Sequence, residues 1–281
     1  MIVLFAGTAM KSDKPAYRFF DSKGKSTDYE EVLKNALKAD IVFFGELHNS
    51  PICHWLELEL TKDLYTEKKS DLILGAEMFE TDDQVIIDEY LAGKMKVKTF
   101  ETETKLWDNY KTDYKPLVEF ANENKLRFIA TNIPRRYAAL VNRSGFEGLD
   151  SLSREAKAFL PPLPVAYDPE LPGYKNMIEM MGGTSSHVTP NIARAQAVKD
   201  ATMAHFILKN YKKGDLFIHY NGTYHTNNYE GIVWYIKQAR PDLKIMTIAS
   251  VEQDSLDELT EENINLADFT LCIPVSMTKT Y

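Results

Sequence analysis

Cysteine is nearly absent from this chain. Cys53 and Cys272 are the only two in 281 residues, one at a helix start and one in an apolar strand-like run, so neither a disulfide framework nor a zinc knuckle is suggested. Both read as small buried hydrophobes. Positive charge is also scarce: 33 Lys and Arg face 41 Asp and Glu, a formal charge of -8, and no basic run offsets it. That balance argues against a nucleic-acid partner, because phosphate binding needs a basic surface. No apolar stretch is long enough to span a bilayer. HExxH, a GxSxG elbow and a Gly-rich nucleotide loop are all missing, which speaks against the common zinc peptidases and serine hydrolases.

What is present is a 44% hydrophobic chain, enough for a packed core and long enough for one α/β domain carrying a sizeable insertion. Residues 1–9 (MIVLFAGTA) look like the end of a secretory signal, an apolar run closing on Ala-x-x-Ala without the basic segment that normally precedes it. Residues 1–16 are therefore expected to be a signal remnant or a disordered start, and the protein to be exported to the cell envelope or periplasm. An ordinary first strand is the alternative.

The chain is organised around residues 41–60, IVFFGELHNSPICHWLELEL. The short β-branched and aromatic run reads as a strand buried on both faces. Ser50 can cap the helix that follows, with Pro51 at its first position. Strand, polar turn and helix in quick succession bring Glu46 and His48 to the carboxyl end of a strand, where open α/β sheets place their ligands. Packing does not ask for either residue there, although Glu46 as a local cap and His48 as a loop histidine remain alternatives.

The construction recurs. Residues 72–79 (LILGAEMF) run into Glu77, residues 126–131 into Asn132 and Arg135, and residues 215–220 (DLFIHY) into Asn221 and His225. Thr27 with Glu30, and Thr81 with Gln84, are capping-box signatures for two helices. An acidic helix is expected near 255–263. The alternation predicts an α/β fold with a mainly parallel sheet flanked by helices, formed by residues 17–136 and 213–281. Residues 137–212 contain no convincing strand and, with six prolines between Pro161 and Pro190, predict a mostly helical insertion over the carboxyl edge of the sheet, with an irregular apolar-lined loop. Tyr174, Met177, Met180, Met181 and His187 lie there, and Asp200 on the long helix after it is assigned to solvent or capping rather than to the crevice.

If the strands are neighbours, Glu46, His48, Glu77 and His225 converge on one crevice. Carboxylates with imidazoles suit either acid/base catalysis or a divalent metal with an open position, and spacing does not separate these from a plain hydrogen-bond network.

The ordered set IVFFGELHN at 41–49, GAEMF at 75–79, TNIP at 131–134, the helix carrying Ala195, Gln196, Asp200, Met203 and Ala204, and NGTYH at 221–225 resembles the ChaN-like haem-binding uptake lipoproteins. That family is distantly similar to erythromycin esterases and the Tiki and TraB proteins. The resemblance implies a bacterial envelope protein of iron uptake that binds haem, two haems packing face to face in a homodimer, with an outer-membrane haem receptor as partner. It also implies a tyrosine ligand to the iron, here Tyr174, and a histidine on the propionates, here His187. A family lipoprotein would carry an acylated cysteine after its signal, and none lies near residues 1–16, so a lipid anchor stays open. The competing readings are a hydrolase, esterase or peptidase-like, using the Glu/His crevice, and an interaction protein that keeps the pocket as a structural network.

Overall fold

The computed structural model describes residues 14–182 and 191–281. Eight strands make one sheet: β1 (Arg18–Asp21), β2 (Ser26–Thr27), β3 (Ile41–Glu46), β4 (Leu72–Glu80), β5 (Arg127–Asn132), β6 (Leu216–Gly222), β7 (Ile245–Gln253) and β8 (Phe269–Pro274). Their order is β2-β1-β8-β7-β3-β6-β4-β5. The six strands from β8 to β5 are parallel, and the β1–β2 hairpin adds antiparallel to β8. The helices are α1 (Tyr29–Ala36), α2 (Pro51–Lys68), α3 (Gln84–Leu91), α4 (Val97–Glu103), α5 (Tyr110–Asp113), α6 (Lys115–Asn124), α7 (Arg135–Ser144), α8 (Arg154–Lys157), α9 (Pro172–Gly182), α10 (Asn191–Asn210) and α11 (Ile232–Ala239). This is the α/β architecture that the alternating pattern predicts.

Two faces follow from the two-residue period of a strand. Val42, Phe44, Leu74, Ile218 and Tyr220 point to one side, into a core closed by Cys53, Leu56, Leu60 and Leu64 of α2 and Leu117, Val118 and Ala121 of α6. Ile41, Phe43, Ile73, Ile129 and Phe217 point to the other, against Met203, Ala204 and Ile207 of α10 and Ile232, Val233 and Ile236 of α11. Burial on both faces explains why these strands read as unbroken apolar runs.

Helix α2 starts as its sequence prescribes, with Pro51 at its first position and the Ser50 hydroxyl accepting from Cys53 N at 3.4 Å. Two other starts differ. The cap of α1 is Asp28, accepting from Glu31 N at 2.9 Å, because Thr27 is used in β2. Thr81 opens a short 3-10 turn and donates to Phe159 O at 2.9 Å, while Gln84 spends its amide on Phe128 O and Ala130 N. The acidic stretch near 255–263 forms only a 3-10 turn, Glu261–Asn263.

Between β5 and β6 the described chain is mostly helical, α7 to α10, with irregular chain over 158–171. Helix α10 serves three packings along its length: Met203, Ala204 and Ile207 cover the sheet, Val198 and Ala201 meet Ala138 and Val141 of α7, and Ala193 and Ala197 meet Tyr174. Its first turns thereby overhang the carboxyl ends of the strands. Among the described residues no helix is long and apolar enough to cross a membrane.

Candidate functional site

Strand register sets the site. β6 lies between β3 and β4, pairing Glu46 with Gly222 and Ala76 with Tyr220, so Glu46, Gly222 and Glu77 fall side by side at one sheet edge. The chain then turns through Thr223–His225 and swings the His225 ring back over them. Gly222 is required by contact rather than by backbone angle: a Cβ there would stand 2.7 Å from His48 Nε2. Sequence-predicted Glu46, His48, Glu77 and His225 are thus brought together, in two acid–imidazole pairs.

In the first pair, His48 Nδ1 lies 2.6 Å from Glu46 Oε1, which also accepts from the Tyr114 hydroxyl at 2.8 Å. His54 Nε2 sits 2.9 Å from Glu46 Oε2, at ion-pair distance but off the direction of a good hydrogen bond, with Asp113 Oδ1 3.5 Å behind it. Burial alone would raise the Glu46 carboxyl, but the two imidazoles outweigh it and hold the pKa at about 2. Burial opposes charge on His48, and Glu46 and Glu77 overcome it and raise its pKa. Glu57, fully buried beside this group, is pushed well above the carboxylate range by burial and by Glu46. It stays protonated.

The second pair belongs to a longer chain. His225 Nε2 is 3.1 Å from Glu77 Oε1, and its Nδ1 is in close contact with Asp200 Oδ1. Asp200 Oδ2 accepts from the Tyr174 hydroxyl at 2.8 Å, and Glu77 Oε2 accepts from Gly222 N at 2.8 Å. Burial works against an imidazolium at His225, yet Glu77 and then Asp200 prevail and lift its pKa to about 10. Glu77 is lowered despite its burial, chiefly by His225. Asp200 is raised, because burial exceeds what His225 returns. Behind them His219 is brought down to about 4 by burial and is neutral, touching Thr131 Oγ1 at 2.7 Å and Asn221 Oδ1 at 3.0 Å.

The His48 side chain is 35% exposed and, with His225, Tyr224 and Tyr281, lines a cavity of about 440 Å³. His48, with Nδ1 on Glu46, has Nε2 left to move a proton to and from a bound molecule, whereas both ring nitrogens of His225 are held by carboxylates. Glu46, His48, Glu77 and His225, expected also as a metal set, are not arranged as one: their charged atoms face each other within the two pairs. Among the described residues no group of three or more His, Cys, Asp or Glu has a metal-holding arrangement.

Tyr174 is not on an irregular loop. Pro172 starts α9, which puts Tyr174 in its first turn, 3% exposed, with its ring 5.5 Å from that of Tyr167. The start of α9 is also held by Glu230, which accepts from Gly173 N at 2.7 Å, and by the Tyr224 hydroxyl, which donates to Gly173 O. His187, expected on the propionates, and residues 1–13 lie outside the described residues. Arg135 is exposed at the start of α7, on the wall of a separate cavity rather than among the acid–imidazole pairs.

Asp200, His54, Glu57, Asp113 and Tyr114 join the site without having been picked out for it in the sequence. A signal was available for three of them. His54 and Glu57 interrupt the buried side of α2 among Cys53, Leu56 and Leu60, and Asp200 interrupts that of α10 among Ala197, Val198 and Ala201. Polar groups on a buried stripe need partners there.

With this geometry in hand, residues 32–236 match the family model described as "Haem-binding uptake, Tiki superfamily, ChaN". Among solved structures, ChaN of Campylobacter jejuni, reported with cofacial haem binding, superposes with a TM-score of 0.65 at 17% identity, covering 91% of this chain and 96% of that one. It shares the fold. The RRSP effector domain of a Vibrio vulnificus toxin gives a TM-score of 0.47 at 19% identity over 89% of this chain and 39% of that one, a loose likeness that carries no argument. Among curated proteins, RETICULATA-RELATED 5, chloroplastic, of Arabidopsis thaliana is 24% identical over 199 residues, which is 66% of this chain. The chain spans 27% of that relative's length.

Proposed function

The chain belongs to the haem-binding uptake, Tiki superfamily, ChaN family, and from that membership we propose that it binds haem for iron uptake at the cell envelope, with Tyr174 as the iron ligand. The family match is the observation that carries this reading. The residues suit the group. Beside α9 a cavity of about 370 Å³ has an apolar wall of Ala138, Ala139, Met177, Ile192 and Ala195, with Lys199 and Arg135 at its margin. An apolar macrocycle bearing two carboxylates asks for such a surface.

Haem, when bound, would supply a ferric iron, which favours an anionic oxygen ligand such as the Tyr174 phenolate. The chain's own task is then to hold and release the Tyr174 proton. Burial and Asp200 keep the phenol protonated as it stands, and Asp200, itself raised, is the adjacent base that can take that proton at Oδ2. Tyr174 is buried and does not line the cavity beside α9, so α9 must shift for the phenol oxygen to reach a ligand there. A homodimer with two haems face to face, and delivery from an outer-membrane receptor, complete the proposal. Titration with hemin tests it: a saturable tyrosinate-type ferric spectrum that vanishes in Tyr174→Phe is expected, and an unaltered spectrum in that variant removes the ligand assignment.

One observation favours a second reading, hydrolysis of an ester or amide: His48 and His225, each on a carboxylate, line the same cavity. His48, held on Glu46 through Nδ1, would take a proton from water at Nε2. Release of nitrophenol from short p-nitrophenyl esters, abolished by His48→Ala, is the expected result. Equal rates in that variant would end this reading.

A further inference from the structure

A cavity of about 800 Å³, larger than the crevice over His48 and His225, opens between the segment 105–112, the end of β4, the start of α7 and residues 280–281. Neither proposed activity uses it. Its wall combines two things that few surface depressions share: an aromatic and aliphatic face, and a guanidinium with nothing opposite it.

The apolar face is Leu106, Trp107 and Tyr281. Trp107 is fixed by edge-on contacts with His48, centroids 5.0 Å apart, and with Tyr114 at 5.9 Å. Asn109 donates to His48 O at 3.0 Å and pins the same segment to the turn after β3.

The charges are unevenly matched. Lys105 reaches Asp82 at 2.8 Å and Glu80 at 3.0 Å, and Arg136 reaches Asp82 at 2.6 Å. Arg135, exposed on the same wall, has no hydrogen bond or ion pair among the described residues. Asp108 is the remaining acid on the wall and is also exposed. Of the three cations on this wall, Lys105 and Arg136 are therefore taken up by Glu80 and Asp82, and Arg135 is left without a partner among the described residues.

We infer that this cavity binds an organic carboxylate with an apolar, aromatic body, its carboxylate on Arg135 and its body on Leu106 and Trp107. A planar guanidinium takes a carboxylate through two parallel N–H bonds, and an indole face suits a flat apolar partner. Tyr281 lines this cavity and the crevice alike, and Trp107 touches the His48 ring, so a ligand here lies next to the first acid–imidazole pair. The inference does not rest on haem binding. Since Arg135 also borders the cavity beside α9, a haem propionate is a second source of the same carboxylate chemistry, and the test separates the two.

The probe is pyrene-1-butyrate, followed by energy transfer from tryptophan in the full chain, with pyrene-1-butanol as the uncharged counterpart. Saturable binding of the butyrate is expected, weakened by about tenfold or more in Arg135→Gln, and weakened for both probes in Trp107→Leu when read by pyrene emission alone. Arg135→Gln alters an exposed side chain and should melt with the parent protein, which keeps the comparison sound. Absence of saturable binding, equal affinity for acid and alcohol, or an unchanged butyrate affinity in Arg135→Gln overturns the inference. Hemin binding unaltered in Trp107→Leu, a residue outside the cavity beside α9, supports a site distinct from haem. Stoichiometric displacement of the butyrate by hemin, with both weakened in Arg135→Gln, overturns it in favour of a propionate contact.

Discussion

The Tyr174 hydroxyl donates to Asp200 Oδ2 at 2.8 Å, and the other oxygen of that carboxylate is in contact with His225 Nδ1. Removing the hydroxyl leaves Asp200 with one charged partner and a buried lone pair unmet. Tyr174→Phe should lower stability by about 1–3 kcal/mol, measured by denaturant unfolding, as well as abolish the tyrosinate haem spectrum. In the Tyr174→Phe, Asp200→Asn double variant the two losses should not add, because the groups share one bond. Additive losses would show that the pair is not coupled.

Stability should depend on pH from both sides of the site. His225 is raised in the folded chain from 6.5 to about 10, so its contribution is complete below about pH 6.5 and fades as pH rises through 10. Glu46 is lowered from 4.5 to about 2, so its contribution is complete above about 4.5 and fades as pH falls through 2. Melting temperature across pH 3 to 10 (about seven units) should therefore fall at both ends, and His225→Gln should flatten the alkaline limb. Parallel alkaline limbs in the two proteins would contradict the assignment.

Glu57 tests what a neutral buried acid contributes. Neither of its oxygens has a well-formed hydrogen bond, and Glu46 nearby keeps it protonated. Replacement by an apolar residue of similar size removes an unmet polar group, so Glu57→Leu should be neutral or stabilising by about 1–2 kcal/mol. A loss of more than about 2 kcal/mol would show instead that the carboxyl proton is shared with Glu46.

Gly222→Ala puts a methyl group 2.7 Å from His48 Nε2 and 2.9 Å from its Cε1. The glycine's own φ of -54 is open to alanine, so the effect is pure contact. The His48 ring should be displaced, seen as a changed imidazole resonance, with a loss of about 1–3 kcal/mol. An unmoved resonance would mean that the backbone yields instead of the ring.

The residues on or just after the strands were legible because each is a polar group where an apolar run is interrupted or has just stopped. Glu46 closes β3, Glu77 interrupts β4 three residues before its end, and His225 stands in the turn after β6. Asp200 and Tyr174 were harder for a physical reason: helices bring them to the site from another layer, and nothing local in the sequence records which strand end they will meet. Tyr114 is harder still, since a buried tyrosine looks like packing until its hydroxyl is followed to Glu46. The caps show the same limit at short range. Thr27 and Asp28 both suit the start of α1, and only the hairpin, which takes Thr27, decides between them.

The position of β6 has a consequence for how the protein is made. β3 and β4 are separated in the sheet by a strand that emerges from the ribosome about 140 residues after β4 ends. Until then the nascent chain carries two apolar strands whose facing edges have no partner, the kind of exposed edge that recruits other chains. Conditions that slow synthesis through α7 to α10 should favour aggregation or chaperone capture, and the second acid–imidazole pair, which needs His225, arises only once that gap is filled.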